Sequence, residues 1–590
     1  MSFRAQSRNS SSLLSKHFDC APYDNCKRFQ LYTTTLSMNW FLGTLLFLIL
    51  LFLYKHHAKK KAVKKLKNSL LENWGKQPTD KRFDFKIIGN YFVNNRHREK
   101  AFHIISEKTQ VDLDVNEFFK RIDTTCSKIG QQYLYFKLRT IQSIEKLRKF
   151  DTFSQLFLND KTLRINCQVL LSQLNTDSAY DLEKLIHGVQ VQKSKILWLA
   201  YSLNIATVLL LVLGFYNSIF FYFILPIYLV NMFLHVRNKR YVSHYLSGVK
   251  QLSKASRIAN EIAKFKDIKA HYGAFPFLKK IDAIKLKTEF LGFETTLLNN
   301  EYFLAIWMLI ELVKVFFNIE FIIFNSFIEG VTKEKDSIEE LFVFLGEVDA
   351  AIAVASLKSR EIETCTPEFT SEKQISAEAI VHPLVENCVA NDLDIQNKSV
   401  LITGSNMSGK TTFIRAIAIN SLVAQTLHIC FAKTYKAPFF KLYSSIRISD
   451  DILESTSYYL EEVLAVKELI DASKDEAPCL FILDELFKGT NTIERISSGK
   501  GILTYLGKQN NTVFVSTHDL ELAEMLEKNN YDLYHFSETI GGNTLVFDHK
   551  IKEGKLKTKN AIKILELYNY PEEIILDAQK TKKDTFEDHS

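Results

Sequence analysis

Residues 404–412 read Gly-Ser-Asn-Met-Ser-Gly-Lys-Thr-Thr and constrain the fold more than any other part of this 590-residue chain. A short β-branched run, 399–403, precedes them, and a stretch with apolar residues at helical spacing and no Pro or Gly, 412–429, follows. A strand, a glycine loop and a helix in that order point backbone N–H groups and a helix N-terminus at a polyphosphate. The sequence therefore predicts an α/β domain that binds ATP or GTP.

The loop itself supplies most of the predicted nucleotide contacts. Lys410 would reach the β- and γ-phosphates, and the hydroxyl of Thr411 would bind Mg²⁺. The remaining loop positions would surround the phosphates with backbone N–H groups: Gly404, Ser405, Asn406, Met407, Ser408, Gly409 and Thr412.

A second apolar run, 479–483, ends in two carboxylates, Asp484 and Glu485. Continuous apolar runs are typical of strands in a parallel sheet that is buried on both faces. Carboxylates at the C-terminal end of such a strand lie in the crevice where α/β sheets bind ligands. Asp484 would hold Mg²⁺ through water, and Glu485 would orient or deprotonate the attacking water. The alternative is that this pair only caps the next element.

A third apolar run, 512–516, is followed by Thr517 and His518. If this run is a neighbouring strand of the same sheet, His518 would lie near the γ-phosphate and sense it. A single histidine is also compatible with a purely structural role.

Taken together, these motifs resemble the ATPase domain of the MutS family of DNA mismatch-repair proteins. That family carries Asn-Met inside its phosphate loop, as Asn406 and Met407 do here. Further segments match the family's motifs in the same order: 381–385 with 389–392, 457–462 (S-T-F-x-x-E), 484–492 (D-E-x-G-R-G-T-S-T), 516–518 (A-T-H), and a helix–turn–helix tail at 557–561 with 571–574. The resemblance implies an ATPase that uses ATP and Mg²⁺ and works as a head-to-tail dimer.

The resemblance also assigns roles to three further residues. His382 and Pro383, in the segment that opens the family's ATPase domain, would lie against the adenine. Ser457 would contact the γ-phosphate held by the opposite subunit. Four departures affect the contacts between subunits more than the ATP pocket: Phe487 for Gly, Lys488 for Arg, Asn491 for Ser and Tyr458 for Thr.

A weaker resemblance extends upstream. Residues 112–138 resemble the family's core helical segment, and residues 339–353 resemble the helix that leads into the ATPase domain. An ordinary amphipathic core helix explains the apolar spacing of the second segment equally well. We expect no counterpart of the family's N-terminal mismatch-reading domain, and therefore no base-specific recognition of mismatches.

Two uncharged apolar runs, 40–54 and 197–235, predict contact with a membrane. A helix needs about twenty apolar residues to cross the hydrocarbon core, with roughly seventeen as a lower limit. The second run is long enough for a hairpin of two helices, 196–216 and 218–234, whereas the first is marginal unless residues 36–39 contribute. The basic residues flanking these runs favour one crossing followed by a hairpin, with the ATPase domain in the cytosol.

Two alternatives remain open for these segments. The apolar runs could be buried core helices of a soluble protein, although residues 300–327, which are equally aromatic, are interrupted by charged residues. The lysine-rich stretch 55–67 could attract anionic lipid, at about 1 kcal/mol per basic residue, or contact nucleic-acid phosphates. Its position beside an apolar run favours lipid.

The predicted organisation is a C-terminal α/β P-loop (ABC-type) ATPase domain preceded by an all-α core region that carries transmembrane helices. We expect residues 1–37 to be disordered or untranslated, with Met38 as the physiological start. The eight cysteines include no C-x-x-C pair and indicate reduced thiols, and no metal other than nucleotide-bound Mg²⁺ is expected. The predicted segments are a transmembrane helix at 38–54, helical regions at 55–195 and 236–374, a membrane hairpin at 196–235 and the ATPase domain at 375–590.

The leading hypothesis is a MutS-like ATPase tethered to the cell (inner) membrane as a multi-pass protein. It would switch as a homodimer, interact with DNA in mismatch repair or recombination control, and take no small-molecule substrate other than ATP. The alternative is an ATPase that drives transport or membrane remodelling without DNA. Against transport, three membrane segments make a poor pathway and carry no charged residues. A membrane scaffold with a degenerate ATPase is a third interpretation, although Lys410, Asp484 and Glu485 are intact.

Overall fold

The computed structural model describes residues 23–78, 81–95, 100–188, 194, 196–292, 304–405, 407–447, 458–487, 489–541, 544–556 and 561–587. It divides into two compact units, of which the first ends at Ser69 and the second begins at Leu70. The second unit contains nearly all of the packed core and every element discussed below except the first helix.

The first unit is built on one long helix, α1 (Tyr23–Glu72). It contains the apolar run at 40–54 and the lysine-rich stretch behind it, and Leu46, Phe47 and Phe52 are more than half exposed. Of the predicted leader 1–37, residues 1–22 lie outside the described residues, whereas α1 includes the residues from Tyr23 onward. Residues 23–38 contain no Pro or Gly, so nothing in the backbone stops the helix from extending N-terminally out of the apolar run.

A helical region begins the second unit. Several of its helices start behind a Ser or Asp whose side chain accepts a hydrogen bond from a free N–H of the first turn, as Ser127 does from Gly130 and Asp160 does from Thr162. Its helices are α2 (Phe85–Ile88), α3 (Asn90–Asn94), α4 (Glu107–Asp112), α5 (Val115–Ile122), α6 (Lys128–Arg139), α7 (Ile144–Asn159), α8 (Lys161–Leu171) and α9 (Asp181–His187). A two-stranded sheet, β1 (His103–Ile104) with β2 (Thr140–Ile141), lies among them.

The predicted hairpin is helical. It consists of α10 (Leu197–Tyr216), the short α11 (Ile219–Tyr222) and α12 (Ile224–Ile262). Among the described residues, two stretches are long and apolar enough to cross a membrane, Leu197–Tyr216 and Ile219–Arg237, and only 17% of each is buried. The predicted boundary at 235/236 is wrong as a structural break, because the second helix runs on without interruption to Ile262.

Further helices lead from the hairpin to the connector helix. They are α13 (Lys266–Tyr272), α14 (Pro276–Gly292), α15 (Leu304–Phe316), α16 (Ile319–Lys333) and the connector α17 (Lys335–Lys358). The connector packs closely on α6 at two glycines. A Cβ atom at Gly130 would lie 2.1 Å from Asp349 Oδ2, and one at Gly346 would lie 2.5 Å from Tyr133 Cβ.

Two sheets follow the connector. A six-stranded sheet has the order β14-β11-β6-β10-β9-β8, in which only β14 is antiparallel to its neighbour. Its strands are β6 (Ser399–Thr403), β8 (Lys441–Ser445), β9 (Cys479–Asp484), β10 (Thr512–Thr517), β11 (Tyr531–His535) and β14 (Lys552–Glu553). A four-stranded sheet, β3-β7-β4-β5, comprises β3 (Glu368–Thr370), β4 (Gln374–Ile380), β5 (Asn391–Gln396) and β7 (Thr434–Pro438). The sheets thus begin before the predicted boundary at residue 375.

Helices cover the six-stranded sheet and end the chain. They are α18 (Lys410–Leu427), α19 (Tyr458–Ala472), α20 (Thr492–Leu506), α21 (Leu520–Glu527), α22 (Ala561–Leu567) and α23 (Glu572–Glu587), with a hairpin of β12 (Glu538–Gly541) and β13 (Thr544–Phe547) before the last two. The largest cluster of buried apolar residues runs from Ile88 in the helical region to Phe536 beside β11. The helical region and the sheets therefore share one hydrophobic core.

Candidate nucleotide-binding site

The loop at residues 404–409 leaves the C-terminal end of β6, a fully buried strand that lies between β10 and β11. Gly404 and Gly409 have φ angles of 147° and 114°, which side-chain-bearing residues rarely adopt. A Cβ atom at Gly404 would also lie 2.7 Å from the carbonyl oxygen of Phe536. Helix α18 starts directly behind the loop, so its first N–H groups point at the space that the loop encloses.

The lysine of the loop is buried beneath it. Lys410 is 2% exposed, and its Nζ donates hydrogen bonds to the carbonyl oxygens of Gly404 at 2.6 Å and Ser405 at 2.9 Å. Ser408 Oγ donates to Ser405 O at 2.7 Å, and Ser405 Oγ donates to Glu538 Oε2 at 3.0 Å. These bonds hold the loop in one conformation with the ammonium group at its centre.

Two loop side chains, those of Met407 and Thr412, point outward to solvent. Asn406, which carries part of the family resemblance, lies outside the described residues, so its predicted role stays a prediction.

A hydroxyl and a carboxylate meet at the predicted Mg²⁺ site. Thr411 Oγ1 donates a hydrogen bond to Asp484 Oδ2 at 2.8 Å. The hydroxyl of Ser516, which pairs with Asp484 in the register of β9 and β10, donates to the other carboxylate oxygen. Hydroxyl and carboxylate oxygens are ligands that Mg²⁺ prefers, so the residues present fit this ion. Ser516 was named in the sequence only as part of a motif, and its contact with Asp484 was not foreseen.

The predicted base and the predicted sensor are neighbours. Glu485 has a φ angle of 55° and donates its N–H to Ser516 O at 2.9 Å, which turns its side chain away from the strand. His518 Nδ1 lies 3.3 Å from Glu485 Oε1, and its Nε2 lies 3.8 Å from Asp519 Oδ1. The Glu485 side chain is 14% exposed and that of His518 52%, so the histidine covers the carboxylate from the solvent side.

An ion pair behind the histidine was not predicted. Arg495 donates from Nε to Asp519 Oδ2 at 2.9 Å and from Nη2 to Asp519 Oδ1 at 2.7 Å. These bonds raise the pKa of Arg495. The bidentate geometry fixes Asp519, which in turn borders His518. The only signal in the sequence was the position of Asp519 directly after the 516–518 motif.

Comparison with known proteins agrees with this geometry. Residues 400–585 match the family model described as MutS domain V. Curated relatives named DNA mismatch repair protein MutS match over the C-terminal part of the chain. The protein from Staphylococcus haemolyticus is 30% identical over 275 residues, covering 44% of this chain and 31% of its own length. The protein from Petrotoga mobilis is 34% identical over 280 residues, covering 45% and 33%. The C-terminal part of the chain is therefore similar to the ATPase domain of the MutS family.

The chain spans about a third of the length of these MutS relatives. The matches cover 44% and 45% of the chain, whereas the family model begins at residue 400, on the strand before the phosphate loop. The similarity therefore covers the part of the chain that carries the loop and the carboxylates.

The departures from the MutS motifs have structural explanations. Phe487 has a φ angle of 56°, in the left-handed region that favours glycine, and its buried ring lies 5.8 Å from the ring of Tyr459. Asn491 is the N-cap of α20 and accepts a hydrogen bond from the N–H of Glu494 at 3.0 Å, a task that Asn and Ser perform equally well. Phe487 therefore adopts a backbone conformation that favours glycine, and its ring is buried. Asn491 retains the N-cap hydrogen bond of α20.

Residues 459–462 contact the segment that follows β9. Besides the contact between Tyr459 and Phe487, the N–H of Gly489 lies 3.4 Å from the buried carboxylate of Glu462. Ser457 and Lys488 lie outside the described residues, so the trans-subunit contact assigned to Ser457 stays a prediction.

His382 and Pro383 were predicted to lie against the adenine; His382 is bonded within its own segment, and Pro383 is bonded to the helical region. His382 is buried, and its ring Nδ1 accepts a hydrogen bond from the N–H of Leu384 at 3.2 Å. Burial, together with the nearby Arg415, lowers the pKa of His382 to about 4, so the ring is neutral. The carbonyl oxygen of Pro383 accepts a hydrogen bond from Arg121 of α5 at 3.1 Å. Neither contact tests the predicted role at the adenine.

A histidine that was not predicted touches the loop directly. His549 Nδ1 lies 3.1 Å from the carbonyl oxygen of Ser408, and the ring lies 3.3 Å from the Cβ position of Gly409. Asn391 Nδ2 donates a hydrogen bond to the carbonyl oxygen of His549 at 3.1 Å and so links β5 to this contact. No motif marks His549 in the sequence.

Two carboxylates join the helical region to the sheets next to this site. Asp112, fully buried, accepts hydrogen bonds from Ser444 Oγ at 2.6 Å, Ile446 N at 3.0 Å and Arg447 N at 2.8 Å. Asp114 accepts two hydrogen bonds from Arg447, both at 2.8 Å, and one from Arg415 of α18 at 3.2 Å. The segment recognised as similar to the MutS core region is thus bonded to the loop helix and to the strand beside β9.

Proposed function

We propose that this MutS-like protein binds ATP with Mg²⁺ at the loop 404–412 and hydrolyses it. The observation that carries the proposal is the meeting of four groups from three segments: Thr411 and Asp484 at 2.8 Å, and Glu485 and His518 at 3.3 Å. Lys410 would bind the phosphates, and Thr411 with Asp484 would hold the Mg²⁺ ion. When bound there, Mg²⁺ would supply positive charge that offsets the charge of the phosphates.

In this proposal Glu485 accepts a proton from water, and His518 is a positioning residue. The imidazole at 3.3 Å limits the directions that the Glu485 carboxylate can take. Arg495 holds Asp519, which borders the other ring nitrogen of His518. These contacts restrict the rotamers of the Glu485 carboxylate. Proton transfer requires a carboxylate held in such a fixed geometry.

The test is ATP turnover by the full-length protein in detergent. Glu485→Gln keeps the shape of the side chain and removes its basicity, so we expect nucleotide binding to persist while turnover falls by 100-fold or more, in the range that a general base contributes. Lys410→Ala should abolish binding itself. Turnover at the wild-type rate in the Glu485→Gln protein would contradict the assignment of the base.

The switching unit would be a homodimer, as the MutS resemblance implies, with Ser457 of one subunit completing the pocket of the other. Cross-linking of the Glu485→Gln protein with and without ATP and Mg²⁺ tests this, because the variant holds the nucleotide without turning it over. Dimers that increase with nucleotide are expected, whereas a nucleotide-independent monomer would contradict the switch.

We also propose that the hairpin α10–α12 lies in the cell (inner) membrane. Its polarity is inverted relative to a helix of a water-soluble protein. On α10, Ile205 is 68% exposed and Val212 58%, while Thr207 and Gly214 are buried. On α12, Leu225 and Phe233 are more than 60% exposed, while Asn231 and His235 are buried. An exposed apolar surface of this length around a polar interior fits a lipid environment.

Asparagines in the interior of the hairpin support this proposal. Asn204 Nδ2 donates to Phe317 O at 2.6 Å, and Asn231 Nδ2 donates to Phe316 O at 2.8 Å. Both carbonyls lie at the junction of α15 and α16, where the helical hydrogen bonding is interrupted. Asn318 Nδ2 donates to Asn231 Oδ1 at 2.6 Å. Where water is absent, the free backbone groups at a break in a helix must form hydrogen bonds with neighbouring helices.

The helices at the hairpin also contribute charged groups. His235 Nε2 lies 3.3 Å from Glu311 Oε1, and Lys314 Nζ lies 3.6 Å from Glu311 Oε2, so the segment 304–333 brings charges to a hairpin whose own runs lack them. The argument from sequence concerned only the charges that the membrane segments themselves carry, whereas the charges of Glu311 and Lys314 come from a neighbouring helix. Alkaline extraction of membranes tests the location, since an integral hairpin stays in the pellet and a peripheral protein is released.

The cellular task that we propose first is DNA-linked, in mismatch repair or recombination control, because the matched relatives are named DNA mismatch repair protein MutS. The decisive assay is ATP turnover with duplex, mismatched and branched DNA across a salt series. Stimulation that weakens as the salt concentration rises supports DNA contacts. Binding to DNA phosphates releases counterions, and a higher salt concentration makes that release less favourable. Turnover that ignores DNA but responds to lipid vesicles would favour the alternative, an ATPase that drives transport or membrane remodelling.

A further inference from the structure

We propose that Cys365 and Cys430 form a reversible redox pair that a peroxide oxidises to a disulfide. The disulfide would join the segment that follows the connector helix to the segment that follows the phosphate-loop helix. The proposal does not depend on nucleotide hydrolysis. All six cysteines whose side chains the structure describes are free thiols, so the structure represents the reduced state.

The geometry of the two residues suits a disulfide. They face each other in an isolated antiparallel bridge, and each donates its N–H to the carbonyl oxygen of the other at 2.9 Å. Two residues that exchange both hydrogen bonds have Cα atoms about 5.5 Å apart. Disulfides span Cα separations of about 4.4–6.8 Å, so the bond can form without moving the backbone far. Sequence separation gives no hint of this, since 365 and 430 lie on either side of the whole loop motif.

The two thiols differ in reactivity in the way that a redox pair requires. Cys365 is half-buried, whereas Cys430 is fully buried. A hydrogen bond from the side chain of Cys430 lowers the pKa of Cys365, and burial raises the pKa of Cys430. A thiolate that solvent can reach reacts with peroxide, whereas a buried thiol does not. Cys365 is therefore the thiol that is oxidised first and Cys430 the thiol that resolves it.

The chemistry balances with hydrogen peroxide as the oxidant. The Cys365 thiolate attacks one peroxide oxygen, the O–O bond breaks, and protonation of the leaving hydroxide gives Cys365 sulfenic acid and water. The Cys430 sulfur then attacks the sulfenic sulfur, loses its proton and expels the hydroxyl group as a second water. In total, two thiols and one peroxide give one disulfide and two waters. A dithiol such as dithiothreitol returns both electrons by thiol–disulfide exchange.

The position of the bond gives it a consequence for the fold. The end of the connector α17 and the end of α18 already meet at Asp151, which contacts Lys358 Nζ and lies 3.2 Å from His428 Nδ1. Cys365 and Cys430 lie just beyond these two ends. The disulfide would therefore add a covalent link where the helix that leads into the sheets meets the helix that starts at the phosphate loop.

The experiment treats the full-length protein in detergent with hydrogen peroxide and follows free thiols and peptide masses. We expect a Cys365–Cys430 cross-linked peptide, a loss of the mass of two hydrogen atoms, and full reversal by dithiothreitol. The matched control is Cys388→Ser, which removes another half-buried thiol of the same region and should leave the cross-link unchanged.

Two further variants test the order of the steps. In Cys430→Ser, oxidation should stop at Cys365 sulfenic acid, which dimedone captures. In Cys365→Ser, which alters only the half-buried partner, Cys430 should stay unmodified. Wild-type protein that retains both thiols under peroxide, or that accumulates the dimedone adduct at Cys365 with Cys430 present, would overturn the proposal.

Discussion

Replacing Asp112 with alanine should loosen the joint between the helical region and the sheets. The carboxylate is fully buried at the end of α4 and accepts three hydrogen bonds. Its Oδ2 accepts those of Ser444 Oγ at 2.6 Å and Ile446 N at 3.0 Å, and its Oδ1 accepts that of Arg447 N at 2.8 Å. Alanine removes all three and leaves the N–H of Ile446 buried without an acceptor.

The magnitude follows from the hydrogen bonds. A hydrogen bond to a charged group contributes about 1.5–3 kcal/mol, and bonds that share one acceptor are not additive, so we expect Asp112→Ala to cost about 3–5 kcal/mol locally. Asp112→Asn is the sharper variant. Its amide oxygen can replace Oδ2 and keep two bonds, while its NH₂ group faces the N–H of Arg447, so the cost should be about 1.5–3 kcal/mol and confined to Arg447.

Hydrogen exchange at single amides measures this difference. Because about 1.4 kcal/mol corresponds to a tenfold change, Asp112→Ala should lower the protection of Ile446 and Arg447 by roughly 100- to 4,000-fold. Asp112→Asn should lower it at Arg447 alone, by roughly 10- to 100-fold.

Asp84→Ala is the control, since it deletes a carboxylate that caps α2 and has no contact with these amides. Unchanged exchange at Ile446 in a folded Asp112→Ala protein would refute the account of the joint.

Three further outcomes are expected. Burial raises the pKa of Asp349 to about 6. The folded protein then binds this proton more tightly than the unfolded chain does. The contribution of Asp349 to stability should therefore be complete below about pH 4, and about 3 kcal/mol of it should be lost as pH rises through 6; Asp349→Asn should remove this component of the slope in a pH series of denaturation curves. Val208→Arg places a charge on the exposed face near the middle of α10 and should weaken membrane insertion by about 2.5–3.5 kcal/mol, visible as protein released by alkaline extraction. Arg495→Lys loses the bidentate geometry with Asp519 and should lower the ATP turnover number roughly tenfold with an unchanged KM, whereas an equal rise in KM would point to a role in binding.

The strand, loop and helix around residue 404 were predictable because their signals are local. The loop needs glycine at two positions whose φ angles only glycine tolerates, and the spacing between Gly404, Gly409 and Lys410 is a property of consecutive residues. The helices of the hairpin were equally predictable, since their length and apolar character do not depend on what packs against them. The location of Asp484 and Glu485 at a strand end followed from the apolar run before them.

Extents and boundaries were less predictable. Helix α1 extends back to Tyr23 and α12 extends on to Ile262, because each added residue gains a backbone hydrogen bond and a change from apolar to polar composition does not by itself end a helix. The boundary at 375 missed β3, whose three residues are recognisable as a strand only through their pairing with β7. Pairing partners cannot be identified from either segment alone.

The amino-acid sequence by itself determined where the phosphate-loop pattern lies and which segments are apolar enough for a membrane. Only the tertiary structure decided which distant groups support them: Ser516 on Asp484, Arg495 on Asp519, His549 on the loop, Asp112 on the end of β8, and Cys365 opposite Cys430. The physical reason is that these contacts depend on the order of strands in a sheet and on one shared core. Both are set by the sum of many burial energies over the whole chain and not by any local pattern.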